Sequence, residues 1–390
     1  MTALAAAFDR ISVDELRNRG GFKWTYAGPD VLGAFVAEMD FGTAPEVEAA
    51  LRDVITRNDF GYLTPGAVQE MAEAVAGWLA EQCGWIVDPA RIRPLPDVIK
   101  GLEAAITVFS RADSPVILPT PAYMPFLTVP PLLGRQIIQV PMITTEGRLA
   151  LDLDGIDAAF RAGGHLLILC NPCNPAGRVY TRDELAAVAE VTQRNGGRVF
   201  ADEIHAPLVY PGHQHIPYAS VSALAAAHTV TATSASKGWN LPGLKCAQLI
   251  LTNDADMEKW DAAGRLAEHG ASTPGVRANI AAFTAGRSWL AEVIGYLDGN
   301  RRLLAELLAE HLPGVRYLPP EGTYLAWLDC RGLGLGDTPG EFFLDKAQVM
   351  VNDGPAFGDA GQGHVRLNFA TPRPILAEIV RRMGQAAANR

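Results

Sequence analysis

Between about residue 100 and residue 252, short apolar runs alternate with segments of helical period, and that rhythm constrains the fold more than any other feature. "SPVILPT" (114–120), "HLLILCNP" (165–172), "GRVFADE" (197–203), "HTVTATS" (228–234) and "KCAQLILT" (245–252) are short apolar runs closed by polar residues or proline, as in buried strands. Helices lie between them. "TRDELAAVAEVTQRN" (181–195) opens with Thr181 and places Glu184 three residues on, a capping-box pattern. Together they predict an α/β fold: a three-layer α/β/α large domain around a mostly parallel sheet. In such sheets ligands bind beyond the carboxyl ends of the strands.

After about residue 285 the rhythm changes. "SWLAEVIGYLDGNRRLLAELLAEHL" is a long helical pattern, "TYLAWLDC" and "HVRLNFA" are isolated strands, and a last helix carries Leu376, Ile379, Val380 and Met383 on one face. This predicts a smaller α+β domain. At 390 residues the chain has room for both, and the expected division is 1–45 joining the small domain, 46–285 the large domain, and 286–390 the small one.

The net charge of −10 argues against nucleic acid as a main partner and against an acidic membrane surface. No apolar run approaches the roughly 18 residues of a spanning helix. The opening "MTALAAAFDR" lacks a basic n-region and reaches Asp9 at once, unlike a secretory signal. Five scattered cysteines (83, 170, 173, 246 and 330) suit a reducing compartment, so a cytoplasmic protein is expected.

Three strand ends carry chemistry. "SASKGWNLPGLK" (234–245) isolates Lys237 among small, hydroxylated and aromatic neighbours, with no other charge until Lys245. Asp202 and Glu203 end an apolar strand; alone, they read as an acidic pair capping a turn. "CNPCNPAGRVY" (170–180) alone reads as a turn, since Asn-Pro and Gly punctuate loops. Its Cys-x-x-Cys lacks the second pair or nearby His of a metal site, and no metal is expected. In combination Asn174, Asp202 and Lys237 form a set that suits pyridoxal 5′-phosphate. The lysine attaches the cofactor, the carboxylate keeps the pyridine nitrogen protonated, and the amide bonds the ring hydroxyl. Hydroxyls and helix N-terminal N–H groups would take the phosphate. A hydrophobic, cation-poor pocket explains the isolated amine, because it lowers the lysine pKa.

At this point the chain resembles the bacterial cystathionine β-lyase/C–S lyase family, a branch of the class I/II aminotransferase superfamily of fold-type I pyridoxal-phosphate enzymes. The resemblance rests on "FKWTYAGPDVLGAFVAEMDF", "DFGYLTPG", "PTPAYMPF", "ADEIHAPL", "SASKGWNLPGLK", "EGTYLAWLDCRGLG", "NDGPAFG" and "VRLNFATPR", in the family's order over nearly the whole chain. It implies Lys237 as the attachment lysine, Asp202 at the pyridine nitrogen and Asn174 at the ring oxygen. His205 stands where many aminotransferases place a tyrosine touching that oxygen, and Tyr123 would stack on the ring. Ser234 and Ser236 would serve the phosphate, Ser234 foremost, with backbone N–H groups of Val98 and Ile99. Plain helix initiation would show the same letters at 98–99. Lys245 lies where many aminotransferases carry a phosphate-binding arginine. Tyr62 would reach the phosphate of a neighbouring subunit, implying a homodimer with shared sites. Arg366 would clamp the substrate carboxylate, assisted by Asn368.

The chain departs from the family pattern at Cys173 (histidine expected), Tyr180 (commonly tryptophan) and Glu38 (aspartate). These positions bear on substrate preference. The implied activity is β-elimination from L-cystathionine or related cysteine S-conjugates, giving pyruvate, ammonia and a thiol. Transamination uses the same residues and is the alternative. A further alternative is a regulator that sequesters a transcription factor, as one lyase of the family does; the intact Lys237, Asp202, Asn174 and Arg366 speak against a purely binding protein.

Overall fold

The computed structural model describes residues 2–145 and 147–390. Seven strands form the central sheet: β1 (Ile92–Leu95), β2 (Val116–Thr120), β3 (Ile137–Pro141), β4 (Leu166–Cys170), β5 (Arg198–Asp202), β6 (Thr229–Thr233) and β7 (Ala247–Leu251), in spatial order β1-β7-β6-β5-β4-β2-β3. β3, β2, β4, β5 and β6 pair in parallel, and β7 is antiparallel to both its neighbours, β1 and β6. The cause is the connection. Residues 234–246 hold only a short 3₁₀ turn, Pro242–Leu244, and no helix that could carry the chain back across the sheet.

All five predicted strands form, trimmed at their ends. The two that the sequence reading missed, β1 and β3, are the sheet's edges. Edge strands show a weaker apolar signal: β1 contains Arg93 and Pro94, which an edge tolerates, and β3 is mostly half-buried. Along β4, Leu166 and Ile168 enter the core on one face of the sheet while Leu167 and Leu169 enter that on the other. Helix Arg182–Arg194 forms both halves of its capping box: Glu184 N–H donates to Thr181 Oγ1 (3.2 Å) and Thr181 N–H to Glu184 Oε2 (2.7 Å).

A second sheet contains β8 (Arg316–Tyr317), β9 (Leu325–Asp329), β10 (Asn352–Asp353) and β11 (His364–Asn368), all antiparallel in the order β8-β9-β11-β10. Helices Arg287–His311 and Arg373–Ala388 pack against each other beside it, and Leu376, Ile379, Val380 and Met383 are fully buried. The N-terminal segment joins this layer. Leu32–Gly33 pairs in parallel with Val349–Met350, and Phe8 meets Tyr296 of the long helix edge-on. Buried Asp40 accepts from Lys23 Nζ (2.9 Å) and Trp24 Nε1 (2.7 Å), tying the segment to itself before it crosses to the large sheet. Among the described residues no helix is long and apolar enough to cross a membrane.

Candidate active site

Because β4, β5 and β6 run in parallel side by side, their carboxyl ends present Asn171–Asn174, Asp202 and Ser234–Lys237 along one rim of the sheet. Opposite the rim lies a strap, residues 35–39, held by side chains from both sheets. Lys237 Nζ and Tyr324 Oη each donate to the Ala37 carbonyl at 2.8 Å. Asn368 Nδ2 donates to the carbonyls of Val36 (2.6 Å) and Glu38 (2.7 Å), and Asn240 exchanges bonds with the Met39 backbone at 2.9 Å each way. Asn368 thus braces the strap.

Burial, then the positive charge of Arg366, pushes Lys237 down to about 8, against the opposing pull of Glu38 and Asp202. A fraction of the amine is therefore neutral near pH 7.5. Asp202 is 4% exposed, and burial pushes its carboxyl up to about 7, opposed by the backbone N–H of Ile204 (3.1 Å) and helped by Glu203. With that one donor among the described residues, the carboxylate is left suited to a buried cationic partner. His205 is buried, its Nδ1 without a partner among the described residues, and burial together with Lys237 and Arg366 holds it well below its usual pKa, hence neutral.

Arg366 is 1% exposed, on the central residues of β11. Its guanidinium donates to Phe35 O (2.7 Å), Asn352 Oδ1 (2.7 Å) and Asn174 Oδ1 (3.1 Å), and lies 5.0 Å from the centre of the Phe357 ring. All are neutral acceptors. Among the described residues no carboxylate pairs with it, its Nε has no partner, and burial lowers it to about 10. A buried cation without a counter-ion is costly, and an anionic ligand group relieves that cost. Asn174 spends Oδ1 on Arg366, which turns its Nδ2 donor toward other acceptors. Tyr123, half-buried after β2, has its pKa raised by burial and lies in the field of Arg366, Asp202 and Asp97.

Val98 and Ile99 open the helix Val98–Ala104, which continues as a π-helical stretch to Phe109, so their N–H groups have no intrahelical acceptor. Asp97 caps this helix by accepting from Lys100 N–H, and its second oxygen pairs with Lys245 Nζ at 3.0 Å. Ser234 differs from expectation. It is fully buried and gives its one proton to the Cys246 carbonyl (2.7 Å), so it is a brace, and Ser236, 2.6 Å from it, is the hydroxyl able to turn to an anion. Tyr62 is not part of the cluster within its own chain: it is 96% exposed.

Sequence reading passed over Tyr324, the Ala37 carbonyl, Asn352 and Phe357. Tyr324 and Asn352 stand inside motifs that were recognised ("EGTYLAWLDC", "NDGPAFG"), but only the antiparallel register, Asn352 opposite Arg366, shows their part. Cys173 and Tyr180 are both buried in the same hydrophobic cluster, so these two departures from the family pattern pack into one core. Glu38 is half-buried on the strap, with no side-chain hydrogen bond among the described residues.

A half-buried lysine and a buried carboxylate at the carboxyl ends of this mixed seven-stranded sheet, faced by a buried arginine from the second sheet, define the class, a fold-type I α/β scaffold. The chain belongs to the aminotransferase class I and II family, whose profile matches residues 30–383. It is 38% identical over 371 residues to the cystathionine β-lyase of Corynebacterium glutamicum, covering 95% of this chain and 98% of that one. A Corynebacterium diphtheriae protein, provisionally described as a PLP-dependent β-cystathionase, superposes with a TM-score of 0.91 at 41% identity, over 97% of this chain and 98% of that one. Cystalysin from Treponema denticola, which contains pyridoxal 5′-phosphate, matches with a TM-score of 0.91 at 27% identity, over 97% and 98%.

Proposed function

We propose that this chain is a pyridoxal-phosphate-dependent carbon–sulfur lyase that eliminates the β-substituent of L-cystathionine or related cysteine S-conjugates, giving pyruvate, ammonia and a thiol. The observation that carries it is half-buried Lys237 beside buried Asp202 and buried Arg366, which has no carboxylate partner among the described residues, on a chain 38% identical to a cystathionine β-lyase.

The residues fit the cofactor. Asp202 has one protein donor among the described residues, which leaves its carboxylate room for a pyridinium N–H, and that cation would offset the burial that raises its carboxyl. Asn174 Nδ2 and His205 Nδ1 are available for a ring oxygen, Tyr123 for the ring face, and Val98 N–H, Ile99 N–H, Ser236 and Lys245 for the phosphate. When bound, pyridoxal phosphate supplies an aldehyde for covalent attachment and a ring that accepts electrons from Cα.

The chain supplies the rest. Arg366 takes the substrate carboxylate as the counter-ion it lacks, and fixes the orientation of Cα. Lys237, freed when the substrate amine replaces it, keeps one N–H on the Ala37 carbonyl and retains a lone pair for the Cα proton. Asp202 holds a proton on the ring nitrogen and so keeps the electron sink charged. In elimination the proton taken up by Lys237 Nζ would not go back to the cofactor: the Cβ–S bond breaks and the departing sulfur takes a proton to leave as the thiol, whereas in transamination Lys237 would return its proton to the cofactor.

Product analysis separates the two. L-cystathionine should yield pyruvate, ammonia and free thiol with no 2-oxo acid supplied, at a rate indifferent to added 2-oxoglutarate. Amino transfer to 2-oxoglutarate without thiol release from any cysteine conjugate sinks the lyase reading.

The same reading makes the protein a cytoplasmic homodimer divided at about residues 45 and 285. Exposed Tyr62, with exposed Phe60 two residues before it and Gly61 O bound to Thr273 Oγ1, suits a residue that completes a neighbour's site. Sedimentation equilibrium should give twice the chain mass of 41.7 kDa; a single-chain mass at assay concentration removes the shared-site proposal.

A further inference from the structure

Tyr324 lies at the centre of the site without a role in the chemistry above. It is fully buried, and burial raises its pKa, so the hydroxyl keeps its proton and remains a donor. It donates at 2.8 Å to the carbonyl that Lys237 Nζ also uses, so both donors share one Ala37 oxygen. Its ring stands edge-on to His205, centres 6.2 Å apart.

The backbone before it is strained. Thr323 has φ +70°, a region that β-branched residues rarely enter, and it is fully buried. Three contacts impose this conformation: Tyr210 Oη donates to Thr323 O (2.5 Å), Thr323 N–H to Leu208 O (2.8 Å), and Leu325 N–H to Thr323 Oγ1 (3.2 Å). Strain maintained in this way points to a local function, and its geometric result is to start β9 with Tyr324 directed at the strap.

We propose that Tyr324 is a positioning residue for proton transfer: its hydroxyl fixes the Ala37 carbonyl, which in turn holds the freed Lys237 amine in place to take the Cα proton. The inference rests on the lyase reading only through that proton, which transamination also removes. While Lys237 is attached to the cofactor, Tyr324 alone keeps the carbonyl anchored. When Lys237 is released, a carbonyl already engaged by Tyr324 accepts one amine N–H and stabilises the ammonium less than a free carbonyl would. Tyr324 therefore keeps the amine located and in its neutral form, without trapping the proton it takes up. The charged groups around the pair are Arg366 from β11, Glu38 from the strap and Asp202 from β5, and Tyr123 faces Tyr324 from beyond β2.

Tyr324→Phe tests this, with two readouts. In the cofactor-free protein, the pH dependence of Lys237 carbamoylation by cyanate, followed by peptide mass, should shift upward, so that the rate at pH 7.5 falls roughly threefold. In the loaded enzyme kcat should fall about ten- to a hundredfold with KM within about twofold, and the isotope effect of α-deuterated substrate on kcat should increase. An unchanged carbamoylation profile, or a loss carried by KM with an unchanged isotope effect, overturns the proposal. Thermal unfolding of the variant within a few degrees of the parent shows that the fold is retained; a variant that unfolds is replaced by Tyr324→His, which restores a donor and should recover part of kcat. If the parent releases no thiol the lyase reading fails, while the carbamoylation result still decides the role of Tyr324.

Discussion

Lys237→Ala should lose turnover by about 10⁴-fold or more and lose covalent cofactor attachment completely, because one amine does both jobs. The geometry makes replacement by a neighbour implausible. Lys245 is bound to Asp97 at the phosphate end and Lys100 to Glu103 on the helix, so neither amine stands at the Ala37 carbonyl. Borohydride reduction of the parent followed by peptide mapping should put the pyridoxyl label on Lys237, and the variant should carry none. A label on Lys245 or Lys100, or turnover within tenfold of the parent, removes Lys237 from the reaction. The variant should still fold, since deleting Lys237 removes a half-buried amine whose one hydrogen bond among the described residues is to a carbonyl that Tyr324 also holds.

How much of this was legible in the sequence depended on how each part is encoded. Interior strands were legible because burial on both faces demands continuous Val, Ile and Leu; the edges β1 and β3, free of that demand, were not. The reversed direction of β7 follows from the short Lys237 connection, which says nothing about direction until pairing partners are known. Lys237, Asp202 and Asn174 were legible because each follows an apolar strand, and strand ends in parallel sheets converge. The bond that Ser234 makes was not legible: its proton goes to the Cys246 carbonyl, a backbone acceptor that leaves no trace in residue type. The Ala37 carbonyl was hidden for the same reason, and with it Tyr324, whose importance is visible only through a partner about 290 positions away.

Asp202→Asn should keep the cofactor attached and lose roughly 10³-fold in kcat, the size of effect that follows removal of a preorganised charge at a developing one. The amide has nearly the carboxylate's shape and can keep the Ile204 N–H bond through its oxygen, so the end of β5 should be undisturbed. The loss is electrostatic. Burial places the Asp202 carboxyl at about 7 on its own, and a cation beside it draws it back to the ionised form. Asparagine cannot ionise, the ring nitrogen loses the partner that keeps it protonated, and the electrons at Cα lose their sink. A second effect has a definite sign. Asp202 raises the Lys237 pKa, so its removal lowers the pKa of the amine freed in the substrate complex and moves the acidic limb of the kcat profile to lower pH. The borohydride label on Lys237 should persist at full stoichiometry while both kinetic changes occur. Loss of the label would mean that Asp202 holds the cofactor and does not tune it, and near-normal turnover would assign the ring nitrogen to another acid.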